Sequence, residues 1–148
     1  GMRVLAYRRH PDPSAGAYIR FVALDALYAQ SDIVSLHCPL TPQTRGMIDR
    51  AAIGRMKDGA VLLNTARGGL LCERDVADAL DCGKLYMAGL DVLCDEPPAP
   101  DSPLARHPRV ICTPHISWMP RETRARLLRA AADNLLCFLE GNPQNVIV

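Results

Sequence analysis

The sequence carries almost no net charge. Its 17 basic and 16 acidic residues nearly cancel, which excludes the strongly basic face that nucleic acid or an anionic membrane surface would require. Lysine is scarce: Lys57 and Lys84 stand against 15 arginines, a bias that a GC-rich genome explains as well as chemistry does. The six cysteines, Cys38, Cys72, Cys82, Cys94, Cys112 and Cys137, contain no CxxC pair and no His/Cys spacing suited to zinc. No metal site is therefore expected. Several of these cysteines lie inside apolar runs, where the thiol acts as a small hydrophobe. Free thiols of this kind predict a reducing, cytoplasmic setting. A signal peptide and an 18-residue apolar span are both missing, so no membrane partner is expected. Repeats and low-complexity segments are missing too. So is a glycine-rich phosphate loop, because the glycines of "RGG" at 67–69 do not make one.

What is present reads as one domain. The chain has 148 residues, 49% of them hydrophobic, enough to bury a core. Short apolar strands alternate with helices. Strands are predicted at 3–7, 32–38, 60–64, 85–92 and 109–113, and helices at 24–31, 49–56, 73–83 and 120–141. Asp49 is placed to cap the second helix. Gly83 and Gly141 stand where helices end, and Pro120 stands in the first turn of the last helix. That helix carries Leu127, Leu128, Ala131, Leu135, Phe138 and Leu139 at helical spacing. Most prolines fall in two linkers, 9–18 and 94–108. Nearly continuous apolar strands between helices indicate an α/β fold, with a parallel sheet and helices on both faces.

Ligands in such folds bind outside the carboxyl ends of the strands. The stretch "VLLNTARGGLL" (61–71) puts Arg67 at that edge, with Gly68 and Gly69 expected to allow a sharp turn. Two more polar residues follow strands: Glu96 in "GLDVLCDEPP" and His115 in "TPHISW". A guanidinium can hold a carboxylate through two hydrogen bonds. A histidine can exchange a proton near neutral pH. A glutamate beside it would orient and stabilise the imidazolium. Taken singly, a surface salt bridge for Arg67, a solvated Glu96 and a structural His115 are the competing readings. Together the three favour catalysis.

The motifs "AQSDIVSLHCPLTPQTRGMI" (29–48), "MKDGAVLLNTARGGLL" (56–71), "AGLDVLCDEPP" (88–98) and "TPHISW" (113–118) span most of the chain. With them the sequence resembles the NAD(P)-binding domain of the D-isomer-specific 2-hydroxyacid dehydrogenases. It looks most like the glyoxylate/hydroxypyruvate reductase and glycerate dehydrogenase branch. The resemblance implies a Rossmann-like fold and hydride transfer between NAD(P) and a small 2-keto or 2-hydroxy acid. Arg67 would bind the substrate carboxylate, His115 would move the proton, and Glu96 would pair with His115. Asp91 would contact the nicotinamide carboxamide. Cys38, Pro39 and Leu40 would line the cofactor cleft, Thr44 would touch it, and Thr65 and Ala66 would pass the nicotinamide. Trp118 would lie near the substrate. Formate is not expected as substrate, because its dehydrogenases have a Gln where Glu96 stands.

Two departures from the family pattern shape further expectations. The strand "VLAY" leads into Arg8 and Arg9, where the family usually has an Asp for the adenosine ribose. A guanidinium can bind a 2′-phosphate, so NADP is favoured over NAD, with solvent-facing arginines as the competing reading. The family's GxGxxG and its first strand–helix unit would precede this chain, as would the substrate domain. Residues 1–148 are thus expected to be the carboxyl-terminal portion of a dinucleotide-binding domain, inactive alone. The first strand would lie between 3–7 and 32–38. Without it, those two strands pair directly, another chain fills the gap, or 2–23 detaches. The segment 120–148 would pack towards the substrate domain or a second copy, which favours a homodimer. A dinucleotide-sensing, corepressor-like protein and an inactive fragment acting only by association are the alternative functions.

Overall fold

The computed structural model describes residues 1–10 and 16–147. Residues 11–15, in the first proline-bearing linker, lie outside them. The chain divides into two units, Gly1–Pro114 and His115–Val148.

The first unit holds six parallel strands in two sheets. β1 (Val4–Ala6) pairs with β2 (Ile19–Phe21), Val4 opposite Ile19. β2 is not among the predicted strands; three residues are too few to show periodicity. The larger sheet has the order β3 (Ile33–Leu36), β4 (Ala60–Asn64), β5 (Leu85–Leu90) and β6 (Val110–Cys112). Of the three outcomes expected for the gap beside β1, direct pairing with β3 does not occur: they belong to different sheets.

Helices α1 (Leu24–Gln30), α2 (Arg50–Arg55) and α3 (Glu73–Asp81) alternate with these strands. The register aligns Val34, Leu62 and Ala88 in one row and Leu36, Asn64 and Leu90 in the next. All six are buried, in a core that also takes in Val76 and Leu80 of α3, except that Asn64 contributes a polar group. Alternate residues on the other face are half-buried at Val61, Leu63 and Met87, and exposed at Ile33 and Ile111. α2 is too short to persist by propensity. It is held at its first turn by Asp49, whose side chain accepts from Ala52 N at 2.8 Å. Asp75, on α3, accepts from Arg50 N at 2.9 Å. Ala52 and Ile53 anchor α2 in the core.

The second unit is one long helix, α4 (Arg121–Leu139), with a short lead and tail. Gly141 ends it at φ +74°. In the tail, Asn145 Nδ2 donates to Asn134 Oδ1 at 2.8 Å. Leu127, Leu128, Leu135, Leu136, Phe138 and Leu139 are all exposed along α4. No helix among the described residues is long and apolar enough to cross a membrane.

Candidate active site

β3 and β4 are parallel neighbours that end together, Leu36 opposite Asn64. The segments leaving them diverge and leave an open groove of about 670 Å³. His37, Cys38, Pro39 and Leu40 line it from one side, and Thr65, Ala66 and Arg67 from the other. Six of these seven residues are sequence-predicted site residues. His37 is the one missed. Its signal was present, because Ser35 and His37 are two apart at a strand end and such residues share a side. Ser35 Oγ lies 2.9 Å from His37 Nε2.

The shape of the groove depends on one buried amide. Asn64 is fully buried, and both ends of its side chain are used. Its Oδ1 accepts from Ala66 N at 3.0 Å, and its Nδ2 donates to Arg67 O at 2.9 Å. A buried amide so satisfied fixes the turn that carries Thr65, Ala66 and Arg67. Arg67 NH1 donates to Ala66 O at 2.7 Å. The side chain is exposed and makes no ion pair among the described residues, which removes the salt-bridge reading.

Gly68 has a different purpose from the one its sequence context suggested. It does not take the left-handed conformation. A Cβ there would stand 1.9 Å from the carbonyl oxygen of Leu93. Only glycine lets the Arg67 turn approach the loop after β5 so closely.

That loop carries Asp91 and Glu96. Asp91 N donates to Asn64 O at 2.9 Å, extending the sheet by one bond. The Asp91 side chain is almost fully buried and accepts a short hydrogen bond from Thr113 Oγ1. Glu96 is exposed, and its Oε1 accepts from Leu93 N at 3.1 Å. The Arg67 turn and the Glu96 loop therefore meet at Gly68 and Leu93. Nearby, burial and the Glu73 charge push the Cys94 thiol up to about 11, which keeps it protonated and unreactive.

Thr44 is not among the groove-lining residues. Its Oγ1 donates to Pro39 O at 2.7 Å and accepts from Thr41 N at 2.8 Å. The hydroxyl thus folds the loop that carries Pro39 and Leu40. Backbone bonds from Gly46 N to Gly69 O and from Ile48 N to Leu70 O fasten that loop to the Arg67 turn. Arg8 and Arg9 follow β1, exposed and without an ion pair among the described residues. His115 belongs to the second unit, with φ +53° and its carbonyl accepting from Trp118 Nε1 at 2.9 Å.

Comparison with known proteins gives this arrangement a family. Residues 1–117 match the D-isomer specific 2-hydroxyacid dehydrogenase NAD binding domain. A hydroxypyruvate reductase of Blautia hydrogenotrophica is 48% identical over 148 residues, covering 99% of this chain and 46% of the relative. A glycerate dehydrogenase of Methylorubrum extorquens is 40% identical over 149 residues, covering 99% and 46%. The NAD-complexed D-isomer specific 2-hydroxyacid dehydrogenase of Lactobacillus delbrueckii ssp. bulgaricus superposes with a TM-score of 0.89 at 29% identity, covering 99% and 48%. The chain thus spans about half the length of the curated relatives it matches. Its parallel sheet, its groove at the strand ends and these matches agree: the chain belongs to the D-isomer-specific 2-hydroxyacid dehydrogenases and forms part of their NAD-binding domain.

Proposed function

We propose that this chain is the carboxyl-terminal part of the dinucleotide-binding half of a cytoplasmic oxidoreductase. The enzyme interconverts a small 2-keto acid, glyoxylate or hydroxypyruvate, and the matching D-2-hydroxy acid. The observation that carries the reading is the groove at the carboxyl ends of β3 and β4 with Arg67 in its wall. The names of the two relatives support the substrate class.

The groove residues fit a dinucleotide. Pro39, Leu40 and Ala66 offer apolar surface for a flat ring, and the fixed Asn64 turn leaves Thr65 exposed beside them. Cys38, Pro39, Leu40, Thr65 and Ala66 would hold the nicotinamide end, with Thr44 shaping the loop and Asp91 meeting the carboxamide. NAD(P)H, when bound, supplies a hydride. The Arg67 guanidinium holds the substrate carboxylate through two charge-assisted bonds and orients the carbonyl. His115 gives a proton to the carbonyl oxygen during reduction and takes it back in oxidation. Glu96 stabilises the imidazolium and sets the ring orientation. Trp118 stands beside the substrate.

The test is steady-state kinetics on the intact protein. Arg67→Gln should lower kcat/KM for glyoxylate and hydroxypyruvate about 10- to 100-fold, the worth of a charge-assisted pair. Unchanged kcat/KM, or no turnover by the unmutated protein despite dinucleotide binding, would sink the catalytic reading.

Cofactor preference belongs to the same proposal. Exposed Arg8 and Arg9 after β1 are placed to receive a 2′-phosphate, so NADPH should be used better than NADH. Arg8→Asp should shift the ratio of kcat/KM values towards NADH by about tenfold or more. Equal use of both cofactors by the unmutated protein would count against it.

A further inference from the structure

We infer that His37 is a binding residue of the groove, fixed by Ser35 so that its Nδ1 bonds an oxygen of the dinucleotide's ribose–phosphate backbone. The inference rests on the reading of the groove as the dinucleotide cleft. β3 ends at Leu36, and alternation puts Ser35 and His37 on the side opposite the buried Val34 and Leu36. Ser35 and His37 are both exposed, and Ser35 Oγ stands 2.9 Å from Nε2.

A serine hydroxyl can donate or accept, so it holds the ring in either tautomer. With Nε2 engaged, Nδ1 is the nitrogen left to a ligand. No other bond to His37 is formed among the described residues. His37 lines the groove together with Thr65 and Arg67. An imidazole, a hydroxyl and a guanidinium around one groove suit a ligand rich in hydroxyls and anionic oxygens. The apolar surface of Pro39, Leu40 and Ala66 leaves the ring portion to the other residues.

Isothermal titration of the intact protein with NADH, NADPH, ADP-ribose and AMP tests the assignment. His37→Ala should weaken NADH, NADPH and ADP-ribose about tenfold and leave AMP unchanged, since one hydrogen bond to the ribose–phosphate backbone is lost. His37→Asn, whose amide nitrogen stands near the place of Nδ1, should recover affinity to within about threefold. Ser35→Ala should give a loss of about threefold with an unchanged Tm. Thr65→Tyr, at an exposed wall position, should block the groove and abolish binding. If Thr65→Tyr blocks binding and His37→Ala leaves it intact, the role of His37 is wrong while the cleft reading stands. His37→Asn binding as weakly as His37→Ala would also overturn it. If neither Thr65→Tyr nor His37→Ala alters binding, the cleft reading fails and the inference with it.

Discussion

Asn64 and Gly68 decide where Arg67 points its backbone, and neither touches substrate in the proposed chemistry. Asn64 is a polar group in an apolar core, tolerated because both halves of its amide are bonded. Gly68 is needed for space. Its would-be Cβ overlaps the Leu93 carbonyl at 1.9 Å, and that carbonyl belongs to backbone that cannot rotate away. Gly68→Ala should therefore force the Arg67 turn off the Glu96 loop. The expected cost is about 1–3 kcal/mol, the usual penalty for overpacking. Urea unfolding followed by circular dichroism would read it, and a change below about 0.5 kcal/mol would show that the two loops yield freely.

α2 shows how a six-residue helix can be specified from outside itself. Asp49 precedes it in sequence, and Asp75 reaches it from α3. The Arg50 backbone N–H, then the Cys72 thiol, hold the Asp75 carboxyl below its ordinary value of 3.8. The lowered value fixes the sign of the pH effect. The unfolded chain takes up this proton first, so the stabilisation is complete above about pH 4 and is lost as pH falls through the folded value. Asp75→Asn should thus lower Tm at pH 7, and the gap to the unmutated protein should close below about pH 4. Thermal scans from pH 7 to pH 2.5 give the comparison. A gap that stays constant with pH would mean that the Asp75 charge does not stabilise the α2–α3 contact.

At the scale of the molecule, the sheets leave backbone unpaired. β1 has β2 as its one partner and β3 has β4 as its one partner, so each presents a free edge. Free edges and the exposed Ile33 favour association with further chain. α4 adds the larger apolar surface, since none of its residues is buried. A homodimer that covers α4 with a second copy is the arrangement we propose for the 148-residue chain by itself. Light scattering should give twice the 16.2 kDa of one chain. Leu128→Glu with Leu135→Glu should return the mass to one chain. A monomer at the outset would refute the dimer.

The sequence by itself determined the alternation of elements. β4 was legible to the residue and α3, β5 and α4 nearly so, because helix and strand periods are local and caps such as Asp49 are local too. It also placed Arg67, Cys38, Pro39, Leu40, Thr65 and Ala66 at the strand ends that bound the groove. Only the tertiary structure decided the rest. β2 became a strand by pairing with β1, and pairing is not written in a three-residue segment. Gly68 owes its identity to Leu93, 25 positions away, and His37 joins the groove because β3 and β4 stop side by side. Local patterns report which face a residue prefers, and contacts between distant segments report what it must fit against.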